Sequence, residues 1–236
     1  MRYYIQVSSV IVLSAMTIGT FASGFDYSKE DLSGYDLQPH LQMSDESHFG
    51  RSDHALYFNM GYLFNYRFLD NSTKTLTNPA GSITYQPRKV LPDIFNGFQI
   101  GIGKEVTQHL DLQFDYLQTL ESKNSTVYLG SRYDTTVKMN GVIGDVAYVI
   151  NPADQFQVSL KLGAEIANYT SSFVVGGTTY YPSSNSTKID PAFGADALLQ
   201  LTKKVGIRFG TMYIFDTQNT NSNGEINIVT SLNYTL

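Results

Sequence analysis

Apolar and polar residues alternate one by one over long stretches of this chain. Between Gln155 and Asn168, Phe156, Val158, Leu160, Leu162, Ala164 and Ile166 share one parity, and Gln157, Ser159, Lys161, Gly163 and Glu165 the other. The final segment repeats the pattern, with Ile226, Ile228, Leu232, Tyr234 and Leu236 against Asn227, Ser231, Asn233 and Thr235. So does an early one, where Leu56, Phe58, Met60, Tyr62, Phe64, Tyr66 and Phe68 oppose Tyr57, Asn59, Gly61, Asn65 and Arg67. A period of two belongs to a strand with two unlike faces; a helix, with its period of 3.6, would scatter these residues. Applied along the chain, the rule predicts eight strands near 55–68, 94–106, 109–121, 133–150, 155–170, 187–202, 205–217 and 224–236.

The connections alternate as well. Three are tight, at Thr107-Gln108, at Asn151-Pro152-Ala153-Asp154 and at Lys203-Lys204. The others, near 69–93, 122–132, 171–186 and 218–223, are longer and rich in Asn, Ser, Thr and Gly. Short turns at one end and long loops at the other describe an all-β, eight-stranded antiparallel up-and-down transmembrane β-barrel. An even strand count brings both termini to the short-turn side. Residues 81–92 can add strand to the first loop without a definite place.

Composition supports a membrane environment. Charged residues are 16% of the chain and aromatics 13%, with seventeen Tyr and fourteen Phe, while mean hydropathy is slightly negative. Soluble domains carry about 25% charged residues. Few charges and many amphipathic rings suit a wall with lipid outside and water inside. The apolar faces are almost free of charge, as they must be where a lipid-facing Lys or Arg at mid-membrane costs about 2–4 kcal/mol. Aromatic residues fall near the ends of these faces and predict two girdles at headgroup level. Tyr148, Phe156, Phe209 and Tyr234 are expected toward the periplasmic rim, and Phe64, Tyr66, Tyr116, Phe193 and Phe215 toward the outer one.

The opening residues, MRYYIQVSSVIVLSAMTIGTFASG, have the layout of a secretory signal peptide: Arg2, an apolar run from Val7 to Ile18, then small residues. Cleavage after Ala22 or Gly24 is expected, which assigns 1–24 to the leader. Residues 25–54 then read as a flexible N-terminal periplasmic segment and 55–236 as the barrel. The chain has no cysteine, which suits a bacterial envelope protein better than a disulfide-rich secreted one. A formal charge of −5 argues against nucleic acid as a partner.

One segment breaks the alternation. In TTVKMNGVIGDVAYVI (135–150), Val137 and Met139 share one parity, and Val142, Val146 and Tyr148 the other. Either a β-bulge near Gly141 or Gly144 shifts the strand, or Lys138 and Asn140 lie above the membrane, where alternation is not enforced.

Signal peptide, eight alternating strands and the terminal segment EINIVTSLNYTL together resemble the small OmpA/OmpX/opacity-type outer-membrane β-barrels. The resemblance covers about 55–236 and is one of pattern. It implies residence in the outer membrane of a Gram-negative-type cell envelope, with outer-membrane lipid and the barrel-assembly machinery as partners. Members usually end in an aromatic residue that the machinery reads; here Tyr234 precedes the terminal Leu236 by two.

Candidate chemistry is sparse. In GFQIGIGKEVTQHLDLQFDYLQTL (97–120), five residues separate Gly97 from Gly103, and Glu105 follows Lys104. A phosphate-binding loop needs four, then Gly-Lys and Ser or Thr, so the segment reads as a membrane hairpin. Its glycines at 97, 101 and 103 leave lumen space. Lipid-modifying hydrolases of similar architecture pair an outward-placed His with Ser, but His40, His48 and His54 precede or begin the first strand and His109 marks a periplasmic turn. The chain is therefore expected to be non-enzymatic. The histidine spacings match no compact metal motif, and no cofactor or metal is expected.

The interior is more informative. Asn59 and Gln99 are inward candidates, and Asp115, Asp145, Lys161, Glu165, Asp196 and Arg208 form a candidate lumen polar network. Asp115, Asp145, Lys161 and Asp196 should lie near mid-height, with Arg208 lower. This network can plug the narrow lumen, or it can line a gated path for ions or small solutes with Lys161 and Arg208 as movable countercharges. The loops, with Tyr128, Tyr133, Tyr180, Tyr181 and the Gly176-Gly177 pair, form a surface suited to contact. Sequence thus points to a structural or surface-interacting (adhesion-like) barrel that meets a host or surface ligand through its loops. A porin-like channel is the alternative, and a soluble barrel for a hydrophobic ligand a second.

Overall fold

The computed structural model describes residues 54–79, 81–181, 187–217 and 221–236. The leader expected over 1–24 and the segment expected over 25–54, except His54, lie outside the described residues. β1 (Leu56–Leu69) leads into a hairpin of β2 (Lys74–Asn78) and β3 (Gly81–Tyr85) and a single helical turn, α1 (Pro87–Val90). The wall resumes as β4 (Ile94–Thr107) and β5 (Leu110–Thr119), followed by β6 (Ser122–Tyr128) and β7 (Ser131–Val149). Then come β8 (Phe156–Val175), β9 (Thr178–Tyr180), β10 (Thr187–Gln200), β11 (Val205–Ile214) and β12 (Ser222–Thr235).

Eight of these strands, β1, β4, β5, β7, β8, β10, β11 and β12, pair antiparallel in that order, and β12 returns to β1. The ring is closed, so the backbone groups of the wall have partners all the way round. Its stagger can be read from the pairing. A circuit from Leu198 passes through Arg208, Ser231, Gly61, Gln99, Leu117, Gly141 and Ala167. It returns to the same strand at Lys188, ten residues away. Eight strands with a shear of ten are tilted by about 40–45° and enclose a space just wide enough for side chains to fill.

Within the ring, alternate residues are buried inside and exposed outside. β4 is the cleanest case: Phe95, Gly97, Gln99, Gly101 and Gly103 face in, while Ile94, Phe98, Ile100 and Ile102 face out. The glycine space is filled. A Cβ at Gly103 would run into the ring of Tyr57, and one at Gly101 into the carboxylate of Asp115.

The structure departs from the expected strand plan in three places. Pairing through 135–150 is unbroken, from Gln118 opposite Asn140 to Leu110 opposite Tyr148 on one side and from Tyr133 opposite Val175 to Val149 opposite Ser159 on the other. There is no bulge at Gly141 or Gly144. The parity of apolar residues changes because Val137, Met139 and Ile143 face in and are buried in apolar layers, while Lys138 and Asn140 face out. A bulge does occur at Leu120-Glu121, where four steps from Gln118 to Ser122 match three from Asn140 to Val137.

The expected loops at 122–132 and 171–186 are largely strand. β6 pairs with the first part of β7 around a turn at Leu129-Gly130 with φ of 50° and 78°. The last part of β8 pairs with β9 around Gly176-Gly177 with φ of 58° and 83°. Both turns need two residues at positive φ, which glycine supplies most cheaply. The first loop, 69–93, holds the β2–β3 hairpin and α1. A four-stranded sheet, β6–β7–β8–β9, thus extends the wall past the ends of its neighbours.

Candidate functional site

The interior is layered. Nearest the short turns lies a polar network. β8 presents Lys161, whose Nζ is 3.4 Å from Asp145 Oδ2 on β7 and 3.4 Å from Asp196 Oδ2 on β10. β11 presents Arg208, whose guanidinium is 3.6 Å from Asp196 Oδ2, donates to Gln113 Oε1 at 2.6 Å and lies 4.8 Å over the Tyr57 ring. Gln113 Nε2 in turn donates to Asp115 Oδ2 at 2.6 Å. Five of the six residues of the expected lumen network, Asp115, Asp145, Lys161, Asp196 and Arg208, are therefore gathered here. A cavity of about 30 Å³, space for about one or two waters, lies among Gln113, Asp115, Lys161 and Arg208 and reaches Leu117, Ile143 and Met212. Asp115 Oδ1 is buried with no hydrogen-bond partner among the described residues.

Above this network the lumen becomes largely apolar, with one buried polar pair, Asn65 donating to Asn227 Oδ1 at 2.7 Å beside Met212. Leu63, Leu117, Met139, Ile143, Ala167, Ala192, Met212 and Ile214 are all buried and pack as one cluster.

Glu165 lies beside that cluster, opposite Ile143 in register and apart from the other five. It is opposite Asp190 in register and belongs to a second polar cluster. There Arg67 Nε is 3.5 Å from Glu225 Oε2, and Tyr169 donates to the same oxygen at 2.5 Å while its ring lies 4.2 Å under the Arg67 guanidinium. Arg67 also donates to Ser222 Oγ at 3.3 Å, and Asp190 accepts the amide and hydroxyl of Thr217 at 2.9 and 2.7 Å. A cavity of about 10 Å³, no larger than one water, lies between Arg67, Glu165, Asp190 and Glu225. Arg67, Tyr169, Asp190 and Glu225 were absent from the sequence-derived network, although their inward parity was there to read.

A third layer closes the loop-bearing end. Leu69, Ile83, Tyr85, Val90, Leu91 and Phe95 pack against Tyr133, Val137, Phe173 and Tyr180 of the extended sheet, and all ten are buried. Hydrogen bonds pin the first loop in this position. Tyr133 donates to the Thr84 carbonyl at 2.9 Å, Tyr85 to Asn221 Oδ1 at 3.2 Å, and the Val90 carbonyl accepts from Thr135 at 2.7 Å and Asn124 at 2.9 Å. Burial raises the hydroxyl pKa of Tyr85 and Tyr133, so both remain donors at any physiological pH.

The outer surface is apolar. Tyr66, Phe193 and Phe215 join Phe68 and Tyr213 in one aromatic cluster, with ring centroids 4.8–6.0 Å apart. Tyr148 stacks on His109 at 5.6 Å beside the short-turn end. Phe156 and Tyr234 are exposed near strand ends on that side, and Phe64 is half-buried on the upper part of β1. Tyr116 donates to Gln118 at 3.2 Å. Phe209, opposite Ala197 and Thr230, lies within the wall, several residues from the Lys203-Lys204 turn. Among the described residues, no three His, Cys, Asp or Glu side chains gather to hold a metal ion.

Comparison with known proteins agrees with this architecture. No family model and no curated protein matches the sequence. Solved structures do. Ail, the attachment invasion locus protein of Yersinia pestis, superposes with a TM-score of 0.51 at 13% identity, covering 78% of this chain and 100% of that one. The outer membrane protein OprG from Pseudomonas aeruginosa gives 0.52 at 10% identity, covering 80% and 99%. At such identities the likeness is one of fold: the chain has the fold of the small eight-stranded outer-membrane β-barrels.

Proposed function

We propose that this chain is an integral outer-membrane barrel with a closed lumen that works at its loop-bearing end, as a structural or surface-contact protein. The observation that carries this reading is the layering of the interior. An ion entering from the short-turn side would meet the Lys161–Asp145–Asp196–Arg208 network, then the packed side chains of Leu63, Leu117, Ile143 and Met212 with the Asn65–Asn227 pair, then the first-loop cap. Passing a charge through so closely packed and largely apolar a level is strongly unfavourable, and the cavities of the interior hold a few waters at most. A channel would need all three layers to move together. The apolar belt on the outer face also opposes a soluble barrel for a hydrophobic ligand.

The contact role rests on the extended sheet. Its tip exposes Val127 and Leu129, each 71% accessible, and Arg132 stands beside them. Leu129 holds a positive φ of 50° where the neighbouring hairpin uses glycine, so an aliphatic side chain is kept at the tip against backbone preference.

Planar-bilayer recording combined with protease treatment of intact cells tests both parts. The wild type and Lys161→Met should show no reproducible conductance steps, and trypsin added outside should cut at Arg132 but spare Lys203 and Lys204. Steps that change with Lys161→Met would replace the closed barrel by the channel. Cleavage at the Lys203-Lys204 turn in intact cells would reverse the orientation.

A further inference from the structure

One strip of the outer wall differs from the rest of the apolar belt. On β4 and β5, Asn96 and Gln118 face outward among Ile94, Phe98, Tyr116 and Leu120. The two amides are neighbours across the strand pair, since Leu120 is bonded to Asn96 through the backbone at 2.7 Å and Gln118 lies opposite Phe98. Tyr62 donates to the Asn96 side-chain oxygen, and Tyr116 to that of Gln118. Each amide oxygen is therefore satisfied, while no described residue accepts from either amide NH₂. In a hydrocarbon environment such donors are costly unless a lipid group takes them.

Directly above this strip, where α1 and the start of β4 part from β6, a groove of about 320 Å³ opens between Leu91–Ile94 and Ser122–Asn124. Arg88 and Lys123 line it, with Asp93 as the acid among its lining residues. Ser122 Oγ and Asn124 Nδ2 are fixed on the Ile94 and Val90 carbonyls at 2.8 and 2.9 Å, so the groove has a firm wall. Arg88 forms no ion pair with another described residue. Lys123 is 3.5 Å from Glu121, but both side chains are mostly exposed and such a pair holds weakly.

We propose that this seam binds an outer-leaflet lipid whose headgroup carries a phosphate monoester. Arg88 and Lys123 take the phosphate through charge-assisted hydrogen bonds. Asn96 Nδ2 and Gln118 Nε2 donate to the carbonyls that link the acyl chains to the headgroup. The chains then run down Ile94, Phe98 and Leu120. Basic groove, amide pair and apolar wall follow one another from loop end to mid-wall, in the order in which such a lipid presents phosphate, acyl linkage and chain.

The inference rests on the membrane reading, and its test separates the two. The full chain is refolded into phosphatidylcholine nanodiscs doped with diphosphorylated lipid A or with the same lipid after phosphatase treatment. Insertion into the disc with retained heat-modifiable mobility tests the membrane reading; lipid retained after transfer to detergent, counted by native mass spectrometry, tests the site. Wild type should retain the phosphorylated lipid at least tenfold over the dephosphorylated one. Arg88→Gln with Lys123→Gln should abolish that preference, and Asn96→Leu with Gln118→Leu should lower retention of both lipids. Equal retention by the wild type, an unchanged preference in the Arg88/Lys123 variant, or full displacement by millimolar inorganic phosphate would each overturn the proposal.

Discussion

At the scale of single residues, one tight fit lies where Gly103 faces a large lumen side chain. Tyr57 is buried against Gly103, and its hydroxyl approaches Gln113 Oε1 at 3.4 Å while Arg208 stacks over its ring. A methyl group at position 103 must push the ring off this arrangement. Gly103→Ala should cost about 1–3 kcal/mol, the usual range for overpacking, read from urea unfolding in lipid vesicles. A second site is governed by charge. The Ser72 hydroxyl and amide, then Lys74, hold the Asp70 carboxyl down to about 2 from an ordinary 3.8. A depressed folded-state pKa stabilises the turn above the unfolded value and loses that contribution as pH falls through the folded one. The Ser72 amide should therefore keep its exchange protection at pH 5 and lose it between about pH 4 and pH 2. Because the carboxylate lies in a surface turn and is partly open to solvent, global stability should change little over that window.

At the scale of elements, the cap is held by packing more than by its hydrogen bonds. Phe173 is 1% exposed and sits 4.8 Å from the Tyr85 ring, centroid to centroid. Removing it should cost about 3–5 kcal/mol locally, whereas Tyr133→Phe gives up one hydrogen bond to a carbonyl, about 1 kcal/mol. Phe173→Ala should let limited proteolysis cut the first loop at Arg88 or Lys89 while the ring keeps its heat-modifiable mobility; Tyr133→Phe should stay resistant. If both variants resist, the first loop is not held by this core. The cap was the part least legible in the sequence. Leu76, Ile83 and Tyr85 alternate over too few residues to stand out, and their packing partners lie on β7 and β8, far along the chain.

At the scale of the whole molecule, alternation gave all eight wall strands because lipid outside enforces it over many residues. What alternation cannot give is height. Asp115, Lys161 and Glu165 share inward parity, yet Glu165 stands opposite Ile143 and Asp190 and joins Arg67 and Glu225, not the other two. Height follows from the register of eight strands and from a stagger that accumulates to ten residues round the ring, neither of which is local. The same apolar layer disguised itself in 135–150 as a bulge, since an inward Ile143 is unexpected in a lumen read as polar throughout. The distinction bears on function. An open polar lumen would be a path, whereas two polar clusters with packed, largely apolar side chains between them form a plug.

The length of β7 and β8, nineteen and twenty residues, has a mechanical consequence. About nine to eleven tilted residues cross a bilayer, so close to half of this hairpin stands clear of it. A pull on the tip at Val127 and Leu129 passes down both strands into the ring. There it is resisted in parallel by the ladder from Leu110–Tyr148 to Gln118–Asn140 on one flank and from Leu199–Phe156 to Thr187–Asn168 on the other. Loaded lengthwise, those bonds must yield together rather than unzip in turn, so a contact made at the tip could bear sustained tension without drawing the strands from the wall.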